Sequence, residues 1–459
     1  MLRLSWTQPE DLLPHALVAA GLDGVDVSEI RQRWVSAGGS DVAAVNGATP
    51  VPAAEPLRSL ARALLREIDE LPVPHTLSVR EPEQLAEILA LAPASVSFAA
   101  VTADAASDRM LGAWLGRASG CLLGKPVEKI SREGIRAIAE STGNWPIASY
   151  FTEIGLDPAV NAAYPWNRRS RPTSLVENID GMPEDDDLNF PLIALDLLER
   201  IGSGFTTDDV AQSWLANLPG GRVFTAERIV YRNLLDGYEP VEAGAVQNPF
   251  RDWIGAQIRT DVYGWVSPGD ARRAATLAWT DARLSHGRSG LYGALFAAAA
   301  CSAALVADTV GQVIEAGLSV VPADSRYAAA IRFGVAVAES TLDTEAALDA
   351  IYAEYGQLHW VHVLNNSALL AFALTRSGGD FATAITLAVT GGWDTDSTGA
   401  TVGSICGALA GASALPGEWI DPLHNTLSSS IPGFNEMCFD DLAARTIAVA
   451  TASTTGENP

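Results

Sequence analysis

Lysine is almost missing from this chain, and cysteine, histidine and long apolar runs are scarce. The four cysteines, Cys121, Cys301, Cys406 and Cys438, show neither CxxC spacing nor a disulfide framework, which points to a reducing, cytoplasmic compartment. Basic residues number 30 against 55 acids, a formal charge of −25. That excess argues against nonspecific binding to nucleic acid or an anionic membrane. A small anion held by local arginines stays open. No secretory signal is expected, because Glu10 and Asp11 precede any apolar run. Residues 291–307 form the longest apolar stretch, but Gly293, Ser302 and many alanines make it a buried helix rather than a membrane span. Zinc is disfavoured, since no histidine or cysteine cluster sits near Asp394 and Asp396 in the sequence. No segment alternates with period two for long, so the fold class expected is all-α.

What is present is helical periodicity in three regimes. Residues 1–103 read as a mostly helical N-terminal extension, with a Gly/Ala/Ser/Pro-rich loop at 36–54 and helices at 55–70 and 81–91. Residues 104–450 read as the main domain and 451–459 as a flexible tail. The main domain opens on an apolar helix with Gly112, Gly116, Gly120 and Gly124 at i+4 spacing. Such a stripe costs helix propensity unless a backbone or a ligand lies against it. Residues 141–181 read as a long ordered loop in which Tyr164 and Trp166 are interleaved with Arg168, Arg169 and Arg171. Aromatics beside arginines suit a phosphorylated, ring-bearing small molecule. Residues 219–268 read as irregular.

Two acidic stretches more than two hundred residues apart carry the chemistry: Pro183-Glu-Asp-Asp-Asp-Leu-Asn-Phe190 and Gly391-Gly-Trp-Asp-Thr-Asp-Ser-Thr-Gly-Ala400. Carboxylates this dense, each ahead of an apolar run, repel unless a cation or solvent screens them. Asp394, Asp396 and Ser397 place oxygens at i, i+2 and i+3, just before a helix whose free N–H groups face the same point. Glu184, Asp185, Asp186 and Asp187 repeat the pattern, with Asp187 either a ligand or the cap of a helix starting at Leu188. Oxygen-only sets suit Mg²⁺ or Mn²⁺.

These residues resemble the ADP-ribosylglycohydrolase family. Gly112-Ala-Trp-Leu-Gly-Arg-Ala-Ser-Gly-Cys-Leu-Leu-Gly-Lys-Pro-Val-Glu128 is similar to its glycine-rich helix and closing glutamate. Glu184 to Asp187 resemble its Thr-Asp-Asp-Thr, and Gly392 to Ala400 its Gly-Asp-Thr-Asp segment. The resemblance covers about residues 104–415. It implies an all-α fold, two divalent cations (Mg²⁺ or Mn²⁺) and hydrolysis at C1″ of an ADP-ribosyl group. Carried over by position, Glu184, Asp185, Asp186, Asp187, Asp394, Asp396 and Ser397 stand at the metal shell. Glu128, Asp186 and Asp187 are the candidates to act on water. Lys125, Arg168, Arg169, Arg171 and Arg288 are candidates for a phosphate; Tyr164, Trp166 and Trp393 for a base; His286 and His362 for other substrate contacts. The departures are Cys121 where many members have aspartate, acids for the two threonines, an inserted Trp393, and the extension. The implied partner is an ADP-ribosylated protein or a ribosyl-containing small molecule. The alternatives are a small-molecule nucleoside or nucleotide N-ribosyl hydrolase and a non-catalytic ADP-ribose binder.

Overall fold

The computed structural model describes residues 3–99 and 101–455. Its centre is an antiparallel pair of helices, Ala103–Gly124 and Thr395–Ala410. The glycine stripe of the first lies on the backbone of the second. A Cβ built at Gly112, Gly116, Gly120 or Gly124 would overlap the carbonyl oxygen of Gly407, Gly403, Gly399 or Thr395 respectively. The lost helix propensity is thus offset by a backbone approach that any side chain would forbid. At the lower end the Thr395 hydroxyl donates to the Gly124 carbonyl, 2.8 Å. That bond fastens the end of one helix to the start of the other, so Glu128 and the Asp394–Ser397 segment emerge side by side.

The first acidic stretch is delivered by a third helix, Asp186–Ile201, whose N-cap is Asp185. The Asp185 carboxylate accepts from the Asp187 N–H at 2.9 Å, so the cap falls on Asp185 rather than on Asp187. Ahead of it, Met182 is held in register with Thr426 and Ser428 by two backbone hydrogen bonds of 2.8 and 2.9 Å. The strands of the described residues are a two-residue antiparallel pair, Thr426–Leu427 with Met437–Cys438. Fully buried Arg117, on the glycine helix, donates to the Asp187 carbonyl at 2.8 Å and to the Asp261 carboxylate at 2.8 Å. The alanine-rich segment is a helix, Arg288–Ala304, buried from Ser289 to Ala304 inside the protein. No helix among the described residues is long and apolar enough to cross a membrane.

Residues 3–99 pack on this core. Helices Pro9–Leu22 and Glu55–Asp69 lie together, and Asp23 accepts from Arg288 and from Arg326, the latter at 3.1 Å. Trp6 sits edge-on to Phe250 and Trp253, with ring centroids 5.5 Å away in both cases.

Two expectations need correction. The helix expected at 81–91 spans only Leu85–Leu91, because Glu81, paired with Arg326 at 2.8 Å, precedes Pro82 and leaves the helical region with φ −127° and ψ 67°. The irregular region expected at 219–268 holds a helix, Thr225–Leu235. Its buried face includes Glu227 and Arg228 beside Ala226, Ile229, Val230 and Asn233. Polar side chains at buried positions erased the apolar period that sequence reading relies on.

Candidate active site

The two acidic stretches face one cavity of about 480 Å³. Glu128, Asp185, Asp186, Asp187, Asp394, Asp396 and Ser397 all line it. Carboxylate oxygens of Glu128, Asp394 and Asp396 can lie within 4.8 Å of one another. The Ser397 hydroxyl donates to Asp187 at 3.3 Å, which ties the two stretches directly. Asn366 accepts from the Asp394 N–H and from the Thr398 hydroxyl, each at 3.2 Å, and so fixes the turn that aims Asp394.

Burial dominates the electrostatics. It pushes Asp394, Asp186 and Asp187 well above the usual carboxylate range, reinforced by repulsion from Asp396 in all three. Burial, then Glu128 and Asp185, raise Asp396 to about 7. Asp185 goes the other way: burial would raise it, but the Lys125 ammonium on its carboxylate holds it below the usual value. So many buried acids without enough cation cannot all ionise together.

The oxygen set of Glu128, Asp394 and Asp396 fits a hard divalent cation such as Mg²⁺ or Mn²⁺. The second group, Cys121, Asp185 and Asp187, is also compact but already carries internal positive charge. Lys125 sits on Asp185, and Arg117 lies 3.5 Å from Asp187. A second ion there would have to displace the lysine ammonium and tolerate a thiol neighbour.

Glu128 is held from two sides. Asn167 donates to its Oε2 at 2.6 Å and Lys129 pairs with Oε1 at 3.0 Å. The chain has two lysines, Lys125 and Lys129, and both line the cavity. Glu184 also lines it, half-buried, with Arg222 at 2.9 Å and Asn189 donating at 3.1 Å. Of the residues expected at substrate, Lys125, Arg168 and Arg169 reach the cavity.

The others lie elsewhere. Arg171 is exposed and pairs with Glu153 at 2.6 Å. Trp166 is buried edge-on to Phe151, and Tyr164 packs against Gly134. Trp393 stacks on Tyr352 with centroids 4.2 Å apart, inside the protein. His286 is buried against Ser285 at 2.7 Å, and burial drives its pKa well below the usual value. Arg288 is taken by Asp23 and Glu83. His362 caps the helix Val363–Ser377 by accepting from the Leu364 N–H at 3.2 Å. In each case a structural partner claims the polar or aromatic group that sequence reading assigned to ligand. Reading the chain in order missed Asn167, Lys129, Arg222, Phe224 and Trp360, and the contribution of Ser5, Trp6 and Asn46 from the extension. Asn167 and Lys129 adjoin residues already singled out; Ser5, Trp6 and Asn46 carry no local signal.

The family model for ADP-ribosylglycohydrolase matches residues 102–455. The chain belongs to the ADP-ribosylglycohydrolase family. It is similar to an uncharacterized protein of Archaeoglobus fulgidus, 26% identical over 318 residues, covering 68% of this chain and 90% of that one. It also shows likeness to a solved ADP-ribosylglycohydrolase-related protein complex, with 22% identity and a TM-score of 0.46 over 76% of this chain and 99% of that one. Within the ADP-ribosylglycohydrolase family match lie every carboxylate of the cavity's acidic cluster and the glycine pair that brings them together. Ser5, Trp6 and Asn46 lie outside it.

Proposed function

We propose that this chain is a divalent-metal-dependent glycosidase that hydrolyses the C1–N or C1–O ribosyl bond of an ADP-ribosylated protein or a related ribosyl compound. One observation carries the reading: two acidic segments 210 residues apart, counted from Asp186 to Asp396, converge with Glu128 on a single cavity. Glu128, Asp394 and Asp396 would hold the cation, with Asp186 and Ser397 beside them. A bound divalent ion supplies Lewis-acid charge for sugar hydroxyls and water.

The chain's own groups do the rest. Glu128, fixed by Asn167 and Lys129, is placed to accept a proton from the attacking water. Asp186 and Asp187 are the remaining carboxylates able to orient that water. Cleavage builds positive charge on the sugar ring, and the surrounding carboxylates stabilise it. Lys125 balances part of the negative charge in the ground state.

The small-molecule variant of this reading is favoured by a specific feature. Ser5, Trp6 and Asn46 wall the cavity, and the Trp360 indole donates to the Val45 carbonyl at 3.2 Å. Lys129 lies 4.9 Å over the Trp360 ring, so the extension stands only two side chains from Glu128. That wall suits a free ribosyl compound better than a modified side chain on a folded protein.

Hydrolysis of a panel by mass spectrometry tests the proposal: ADP-ribosyl-arginine protein, ADP-ribosyl-serine peptide, ADP-ribose derivatives and nucleosides, with and without Mg²⁺ or Mn²⁺. Metal-dependent release, lost in Asp396→Asn, is expected. Tight ligand binding without turnover or metal uptake would leave a binding protein instead.

A further inference from the structure

We infer that Lys125 stands in this chain where a second divalent cation would sit, and that the cavity takes one divalent ion, at Glu128, Asp394 and Asp396. The inference rests on the metal-dependent reading above and departs from the two-ion centre that the family resemblance implies.

The two compact groups of the cavity differ in what their oxygens already meet. In the group of Cys121, Asp185 and Asp187 every carboxylate oxygen has a donor. Asp185 takes the Lys125 ammonium on Oδ2 and the Asp187 N–H on Oδ1 at 2.9 Å, as an N-cap aspartate ordinarily does. Asp187 takes the Ser397 hydroxyl on Oδ2 at 3.3 Å, and the Arg117 guanidinium lies 3.5 Å from its Oδ1. The remaining member is the Cys121 thiol, 4.0 Å from Asp187, a soft ligand ill-matched to Mg²⁺ or Mn²⁺. Asp394 behaves in the opposite way. It is the N-cap of the helix Thr395–Ala410 and is buried, yet its side chain caps none of that helix's free N–H groups and lines the cavity instead.

Charge divides the same way. Asp185 meets Lys125, and Asp187 meets Arg117, which it shares with Asp261. Glu128, Asp394 and Asp396, with Asp186 beside them, have the single ammonium of Lys129, paired with Glu128 at 3.0 Å. The uncompensated negative charge therefore lies around Glu128, Asp394 and Asp396, and a cation belongs there. Lys125 is not free to make way for another. It also donates to the Glu184 carbonyl at 3.1 Å. It follows Gly124, where a Cβ would overlap the Thr395 carbonyl and the Asp396 N–H, so its backbone cannot swing out without parting the two central helices. A divalent ion on Asp185 would meet that ammonium at contact range, and like charges repel. Lysine supplies a compact positive charge and three donors but no coordination positions, so it neutralises Asp185 without taking water or sugar oxygens as ligands.

Titration of Mn²⁺ into the full chain, followed by electron paramagnetic resonance, tests the inference. The parent chain is expected to take up one Mn²⁺ and to show the spectrum of an isolated ion. Two ions at the separation of two-metal centres, about 3.5–4 Å, would show exchange coupling instead. Two equivalents in the parent, coupled or not, would overturn the inference and leave the hydrolase standing. Asp394→Asn should weaken the bound ion by more than the roughly hundred-fold that loss of a supporting group costs. Mn²⁺ held as tightly as in the parent would overturn its placement. Cys121→Asp combined with Lys125→Met, its native fold checked by circular dichroism, should take two Mn²⁺ and show the coupling. A folded double variant that still takes one would show that Lys125 is not what excludes the second ion. The parent stoichiometry decides on its own, whatever becomes of the variants. One Mn²⁺ per chain without turnover of any ribosyl compound removes the hydrolase and keeps the inference; no bound Mn²⁺ removes the metal-dependent reading and the inference with it.

Discussion

Lys125 is the residue on which the acidic cluster turns. It is 5% exposed, its ammonium sits on Asp185 and it also donates to the Glu184 carbonyl at 3.1 Å. Burial alone would strip its proton, but the Asp185 charge raises its pKa above the ordinary lysine value. Removing one member of a buried pair leaves an uncompensated charge and costs about 3–5 kcal/mol. Lys125→Met is expected to lower the melting temperature sharply without divalent cations and to recover most of it in millimolar Mg²⁺. A melt unresponsive to Mg²⁺ would show that Asp185 does not see the ion. In the sequence alone Lys125 is a candidate for a substrate phosphate; in the fold its nearest anion is the protein's own Asp185.

At the scale of elements, the paired glycine helices set the spacing of the site. Gly120 meets the Gly399 backbone, and Gly399 meets Gly120 in return. Neither side has a flexible side chain to move aside. Overpacking a fitted contact costs about 1–3 kcal/mol, and backbone against backbone belongs at the upper end. Gly120→Ala is expected to lower thermal stability by that order and to weaken Mn²⁺ affinity, because Asp394 and Asp396 ride on the displaced helix. Gly143→Ala, where a Cβ would meet nothing, is a poor control because its φ is +75°. Gly204→Ala also meets nothing, carries no such φ, and should be near neutral. Four glycines at i+4 announced a close approach in the sequence, yet the partner glycines at 399, 403 and 407 were legible only as part of a core helix.

At the scale of the whole molecule, the extension and the family domain share an aromatic and histidine cluster. His15 faces His359 with ring centroids 5.5 Å apart, and His359 stacks on Trp253 at 4.3 Å. Burial lowers His15 from 6.5 to about 4; burial, then His15 itself, lower His359 to about 3. Both are neutral in the folded state at pH 7. The unfolded chain binds more protons between pH 6.5 and these lowered values, so stability from this contact is complete above about 6.5 and falls as the pH drops. Acid is therefore expected to loosen residues 3–54 first. Amide exchange at pH 7.5 and pH 5 checks this: faster opening of that segment at pH 5, ahead of the glycine helices, is the expected result, and uniform protection at both values would contradict it.

The local chemistry was readable along the chain. Helical period, the glycine stripe, the two oxygen-rich turns and the carboxylate density are properties of neighbouring residues, and short-range sterics and charge repulsion suffice to interpret them. Partnership was a different matter. Whether a polar group meets a ligand or another part of the protein depends on which distant segments converge. His286, His362, Arg288 and Trp393 look alike with Arg168 and Arg169 in one dimension, but the fold gives the first four protein partners, while the last two make no ion pair among the described residues. The folded backbone also brings Ser5 against Arg228 across 223 positions, a contact that no periodicity encodes.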